Sequence, residues 1–267
     1  MMEAAQFDAY LVRLGLGYLP DVDEHGLALL QRAHRLAIPF ENFDIRLGRG
    51  ISIALDHVVD KLVTRKRGGY CFEHNALFLA ALARLGFDVR PVLARVWLVA
   101  APGVVPPRTD VLSLVTIQGR PWIADAGFGG SYALPMPLEP ERVVEGPDGA
   151  RHRLIADTDH GWMLERDGGD GWRPQFSFTL AHVFDSDLAM SNHWTSTSPE
   201  SRFVRHCIAS AVLPHGMAAL QDLRYTRSSL TDRVESEITS GRMLQMRLSL
   251  VFGIDLQRDE IEALGLF

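Results

Sequence analysis

The sequence predicts an α+β fold in which helices lead, strands follow and a mixed segment closes the chain. Three observations carry this reading. Apolar residues recur at helical spacing as far as Gly86, β-branched and aliphatic runs punctuated by Gly and Pro take over from Phe87, and neither pattern dominates after about residue 185.

Taken in order, Phe7, Tyr10, Leu11 and Leu14 lie on one face of a first helix, and Leu27, Leu29, Leu30, Ala33 and Leu36 on one face of a second. Pro39 breaks the pattern, so Ile38 to Phe43 is extended or turn. Asp56 to Lys66 reads as an amphipathic helix stopped by Gly68-Gly69, and Ala76 to Leu85 as a helix closed by Gly86, a C-cap signal. Strands follow through Val89, Val92, Ala94, Val96 and Leu98, through Val111 to Ile117, and through Trp122 to Ala126, which the turn-rich Gly127-Phe128-Gly129-Gly130 ends. The β pattern resumes at Arg151 to Leu164 and at Gln175 to Leu180, with Gly168 to Gly171 as a loop tip, and runs to about residue 185. A last helix is expected at Arg258 to Leu264. There is no internal repeat or low-complexity tract, and the three textures suggest up to three subdomains.

Bulk properties narrow the function. An apolar fraction of 47% with 22% charged residues is that of a globular chain able to bury a sizeable core. The net charge of −6 argues against nucleic-acid binding, which needs a basic face. Two cysteines, Cys71 and Cys207, imply no disulfide framework. Glu3 and Asp8 interrupt any N-terminal signal region and no apolar run could span a membrane, so a reduced cytoplasmic protein is expected.

The most informative stretch is Arg67-Gly68-Gly69-Tyr70-Cys71-Phe72-Glu73-His74-Asn75. Two glycines permit close backbone approach and unusual dihedrals just before Cys71. The helical pattern after it puts Cys71 near a helix N-terminus, where unpaired N–H groups favour thiolate, as a nucleophile requires. The alternative is a buried structural cysteine, the reading that suits Cys207.

This stretch resembles the signature of the arylamine N-acetyltransferase family around its acetyl-accepting cysteine. Ile38 to Asn42, Trp122 to Gly130, Asn192 to Thr197 and Ser201 to Phe203 resemble further segments of that family, in the family's order. The resemblance implies a helical bundle over residues 1–86, a β-barrel over 87–187 and an α/β lid over 188–267. It also implies ping-pong transfer of acetyl from acetyl-CoA, through the cysteine, to an arylamine, arylhydrazine or N-hydroxyarylamine, with no metal and no nucleic-acid or membrane partner. A Cys-His-Asp triad does this chemistry, with Cys71 and Asp125 at two of the matching positions. Phe40, Val96, Phe128 and Phe203 match acceptor-pocket positions, while Thr109 and Gly129 lie on the segments that line the cleft, with loop amides near the pantetheine of CoA.

At the third position the chain departs from the family. The triad histidine follows a Thr upstream of the Trp122 segment, and in Pro107-Arg108-Thr109-Asp110-Val111 the residue there is Asp110. A carboxylate disfavours a neighbouring thiolate, and Asp110 and Asp125 side by side are expected to share one proton. Acetyl transfer is therefore expected to be impaired. His74, three residues after Cys71, is the nearest substitute base, though its spacing points it into the bundle or to solvent. Glu41 and Arg67 read as a structural pair, and His182, His193 and His206 as structural rather than zinc-binding, since no spacing fits zinc. The rival readings are a homologue that binds CoA or an aromatic ligand without turnover, and an amide synthase of the same fold.

Overall fold

The computed structural model describes residues 2–98, 100–101, 103–214, 216–229 and 231–267. Helices α1 (Ala4–Leu14), α2 (Glu24–Ala37), α4 (Leu55–Val59) and α5 (Cys71–Leu85) form the N-terminal bundle, with the two-residue strand β1 (Phe40–Glu41) and the short α3 (Phe43–Arg46) between α2 and α4. The expected helix at 56–66 is in fact α4 continued by a π-helical turn, Asp60–Thr64. Gly86 closes α5 in the left-handed region, φ 104°, as its position predicts.

The predicted face of α2 needs correction. Its buried side chains are Leu27, Leu30, Gln31, His34 and Arg35, whereas Leu36 is exposed. Three of these five are polar, because α2 faces α5 and the loop after β4 through hydrogen bonds as well as the apolar core.

Strands β2 (Asp88–Val96), β3 (Arg108–Ile117), β4 (Arg120–Ala124), β5 (Met136–Pro137), β6 (Val143–Glu145), β7 (Arg151–Asp157), β8 (Gly161–Asp167) and β9 (Trp172–Phe178) form one antiparallel, barrel-like sheet in the order β5-β4-β3-β2-β9-β8-β7-β6. Val92, Leu112, Leu164, Phe176 and Phe178 fill its interior. Val115, Ile117 and Ala124 point the other way, into the bundle core with Leu77, Phe78 and Leu82 of α5, so alternate residues of one sheet serve two cores.

The last strand of this sheet ends at Phe178, earlier than the sequence pattern suggests, and helix α6 (Asp185–Thr197) begins seven residues later. After α7 (Arg202–Arg205), strands β10 (Ile208–Leu213), β11 (Gly216–Gln221), β12 (Arg224–Ser228) and β13 (Arg233–Glu237) continue a second sheet. Helix α8 (Gly241–Arg247), a π turn Leu248–Phe252 and α9 (Arg258–Ala263) pack beneath it around Leu220, Leu244, Phe252 and Ile261. This lid sheet opens with β1: Phe40 pairs with Ser210 and Glu41 with Ala209. A segment from the helical end of the sequence thus ties bundle to lid and fixes Phe40 at their junction. Among the described residues no helix is long and apolar enough to cross a membrane.

Candidate active site

Cys71 is the first residue of α5, with Tyr70 as its N-cap, and is 4% exposed. Neither Gly68 nor Gly69 has a positive φ, so the expected unusual dihedrals are absent. What the glycines supply is room: a Cβ on Gly68 would lie 2.3 Å from the Pro39 carbonyl oxygen, and one on Gly69 2.9 Å from the Glu73 side chain. The freed space lets β1 run against the cysteine loop, with Glu41 N–H donating to Gly69 O at 2.7 Å.

A buried ionic group holds that loop from below. Arg67 Nη2 meets Glu41 Oε1 at 2.7 Å, and Lys61 Nζ meets Asp44 Oδ2 and Glu73 Oε1 at 2.8 Å each. Glu73 Oε2 in turn accepts the Tyr70 N–H at 3.0 Å, which caps α5 beside the thiol. Burial raises Glu73 to about 7 against the pull of Lys61.

Asp110 lies on β3 opposite Ala94, and the ladder slips there, because Arg95 pairs with Arg108. Thr109 is the extra residue of this bulge, and its carbonyl, left out of the β2–β3 register, accepts the Cys71 thiol at 3.6 Å. Asp110 is fully enclosed and faces the thiol. Its carboxyl lies near Cys71 Sγ and the Val111 N–H, and neither Asp110 oxygen has a hydrogen-bond partner among the described residues.

Asp125 sits just past the end of β4. Its Oδ1 accepts from Asn75 Nδ2 (2.9 Å), Gly127 N (2.7 Å) and Phe128 N (3.1 Å). Asn75 also donates to Val111 O at 2.6 Å and accepts from Ala126 N at 3.2 Å, so it ties β3 to the Asp125 loop. The sequence reading missed Asn75 as a site residue; the signal was its i+4 relation to Cys71, which places both on one helix face. The approach is close, since a Cβ on Gly127 would fall 2.5 Å from Asn75 Nδ2 and 2.7 Å from Cys71 O. The loop amides of Gly127 and Phe128 therefore serve Asp125.

Burial, then the Asp125 charge, drives Asp110 well above the carboxylate range. Burial also raises Asp125, but its three N–H donors pull it back. Of the two, Asp110 is therefore displaced further above the carboxylate range. Burial raises the Cys71 thiol well above its ordinary value, and Asp110 adds to the rise; only the Phe72 N–H at the helix terminus opposes. The site at neutral pH holds a neutral thiol donating to a carbonyl.

His74 does not take over the missing imidazole. Its Nε2 lies 3.1 Å from Pro39 O, its Nδ1 2.7 Å from His34 Nε2, and His34 Nδ1 2.7 Å from Tyr10 OH. A carbonyl only accepts, so the chain runs one way: Tyr10 O–H to His34, His34 N–H to His74, His74 N–H to Pro39. Every ring nitrogen is used within the bundle, and burial lowers His74 to about 3.

The cavity beside Cys71 has a volume of about 490 Å³ and is lined by Phe40, Cys71, Val96, Thr109, Asp110, Phe128, Gly129 and Phe203. Asp125 stands behind it, joined through Asn75. Phe203 lies 5.8 Å from Phe40 and 5.6 Å from Tyr70, ring to ring, and closes the cavity from the lid. Ser201 caps α7 by accepting the Phe203 N–H, and Asn42 Nδ2 donates to Phe203 O at 2.7 Å, so both sides of the junction hold that ring. Away from Cys71 the lining carries Arg202, Arg205, Arg224 and Arg233 with only Glu200 as acid, a basic rim on an acidic protein. Cys207 is buried in the lid core, and His206 pairs with Asp222 at 2.7 Å.

The family model for N-acetyltransferases matches residues 24–261. An arylamine N-acetyltransferase / N-hydroxyarylamine O-acetyltransferase of Salmonella typhimurium is 38% identical over 82% of this chain and 78% of its own length. An arylamine N-acetyltransferase of Mycobacterium bovis is 32% identical over 95% and 90%. Among solved structures, the Salmonella typhimurium arylamine N-acetyltransferase superposes with a TM-score of 0.92 at 32% identity, covering all of both chains. The Mycobacterium marinum enzyme in complex with CoA does so at 0.90 and 30%, covering 97% of each.

Proposed function

Because the chain belongs to the arylamine N-acetyltransferase family, we propose that it carries acetyl from acetyl-CoA to the nitrogen of an arylamine, arylhydrazine or N-hydroxyarylamine through an acetyl-Cys71 intermediate. The observation that carries this reading is the placement of Cys71, at the start of α5 and in the wall of an aromatic-lined cavity, with Asp110 facing its sulfur. CoA suits the cavity. A thioester can reach Cys71 at one end while the phosphates meet the arginine rim at the other.

In the first half-reaction Cys71 Sγ bonds to the thioester carbonyl carbon, the carbon–sulfur bond to CoA breaks, and the thiol proton ends on CoA sulfur. In the second, the acceptor nitrogen displaces Sγ and its proton returns to Cys71. Phe40, Val96, Phe128 and Phe203 form the apolar walls against which an aromatic acceptor packs, and Thr109 and Gly129 shape the floor.

The weak step is forming the thiolate. An imidazolium at position 110 would stabilise it, whereas Asp110 is a neutral acid or a competing anion. We infer that Asp110 slows acetyl transfer strongly. The same residue favours one other reading, a homologue that binds CoA or an aromatic ligand without turnover. Incubation with acetyl-CoA should add one acetyl group to the intact mass, and Cys71→Ala should abolish it. Hydrazine acetylation, followed by release of free thiol, should be slow and should rise by orders of magnitude in Asp110→His. An adduct on Cys207, or no gain in Asp110→His, would overturn the proposal. A CoA-binding protein that no substitution at 110 activates would establish the non-catalytic reading instead.

A further inference from the structure

Arg35 is 5% exposed and takes no part in the chemistry above. Its Nη1 donates to Ala126 O and its Nη2 to Ser131 O, each at 3.3 Å, and the guanidinium stands 5.7 Å from the Tyr132 ring centre. One helical turn earlier, Gln31 Oε1 accepts the Asp125 N–H at 2.9 Å. Helix α2 therefore grips the backbone on both sides of the Asp125 side chain, with the cation one residue away. Four buried polar atoms here lack a hydrogen-bond partner: Arg35 Nε, Asp110 Oδ1, Asp110 Oδ2 and Asp125 Oδ2.

A buried guanidinium with no contacting carboxylate is costly unless charge nearby balances it. Burial lowers Arg35 from its ordinary value, and Asp125 first, then Tyr132 and Asp110, work against that lowering. The other ionisable groups around the cluster are Cys71, His34, His74 and Tyr132, all neutral at physiological pH through burial.

We propose that Arg35 is a positioning residue of the Cys71 site: its charge, held one residue from Asp125, keeps Asp125 ionised and leaves the shared proton on Asp110, opposite the thiol. The group then sums to zero, with Arg35 balancing Asp125 and with Cys71 and Asp110 uncharged. It would also sum to zero with a Cys71 thiolate and an imidazolium at 110, so Arg35 is compatible with both forms of the site. This inference rests on the contacts of Arg35 and Gln31 around Asp125 and on the unpartnered oxygens of Asp110 and Asp125, and does not require acetyl transfer.

The test is a titration of the two carboxyl carbons by NMR in aspartate-labelled protein, assigned with Asp110→Asn and Asp125→Asn. Removing the cation disfavours both anions, so Arg35→Gln should move both midpoints upward by about one pH unit or more, while Arg35→Lys should leave them nearly unchanged. A bracing role alone would lower stability in both variants without moving the midpoints. Unmoved midpoints in Arg35→Gln would overturn the proposal. If Arg35→Gln does not fold, adding Asp125→Asn should restore folding by removing the uncompensated charge, and a double variant no more stable than the single one would equally overturn it.

Discussion

Around Cys71 the physical chemistry is set by single atoms. The thiol donates to a carbonyl that a bulge has exposed, Asp110 supplies acid where a cation would be needed, and Asn75 bridges β3 to Asp125. Gly127 makes this packing possible. With Gly127→Ala, the new methyl group would have to sit within 2.9 Å of Asn75 Nδ2, Cys71 O and Cys71 Cα. Backbone atoms of a capped helix cannot give way cheaply, so the substitution should cost about 1–3 kcal/mol in denaturant unfolding and more in thiol reactivity. A Gly127→Ala protein as stable as the parent would show that the loop is looser than this contact implies.

At the level of helices and strands, the elements that follow an apolar rhythm were legible and those that depend on polar burial were not. The closing glycine of α5, the place of Cys71 near its N-terminus and the β2–β4 strands follow from pattern and punctuation, although the helix begins at Cys71, five residues before the apolar stretch from Ala76. The inner face of α2 did not, because Gln31, His34 and Arg35 look solvated in sequence and are buried through hydrogen bonds to distant loops and a distant helix. Helices α6 and α8 were missed for a related reason: α6 buries only Asn192 and Thr195, so it carries no apolar stripe. The site residues Cys71 and Asp125 were recognisable by resemblance, whereas the Arg35 cation and the Thr109 bulge depend on contacts made only in the fold. Strand β7 shows what such burial does to pH response. His152 is fully buried with neither ring nitrogen paired, and burial lowers it to about 4 from an ordinary 6.5. A base whose folded value is depressed contributes stability above pH 6.5 that is lost as pH falls towards 4. His152→Leu should thus be close to neutral at pH 7.5 and stabilising by about 2–3 kcal/mol at pH 4.5, read from unfolding curves at both pH values. An equal effect at both would contradict the burial of a neutral imidazole.

The whole molecule brings three parts of the chain to one cavity: α5 supplies Cys71, β3 supplies Asp110 with Asp125 of the loop after β4 behind it, and β1 and α7 close it with Phe40 and Phe203. Its charge is divided in the same way, with a basic rim towards solvent and a buried group that lacks an imidazolium. We propose that this architecture is competent for acyl transfer and that Asp110 keeps its thiol neutral. Alkylation of Cys71 by iodoacetamide across a pH series reads that state directly, because only thiolate reacts. Burial and Asp110 raise the thiol, and the helix terminus contributes only about 0.3–1 kcal/mol against them. Alkylation should therefore be slow at pH 6 and climb only above roughly pH 8.5, the reference value for a free thiol. In Asp110→His the climb should fall by several pH units, since a cation then faces the sulfur. Rapid alkylation of the unaltered protein at pH 6 would contradict a neutral Cys71, by showing that a cation already holds it as thiolate.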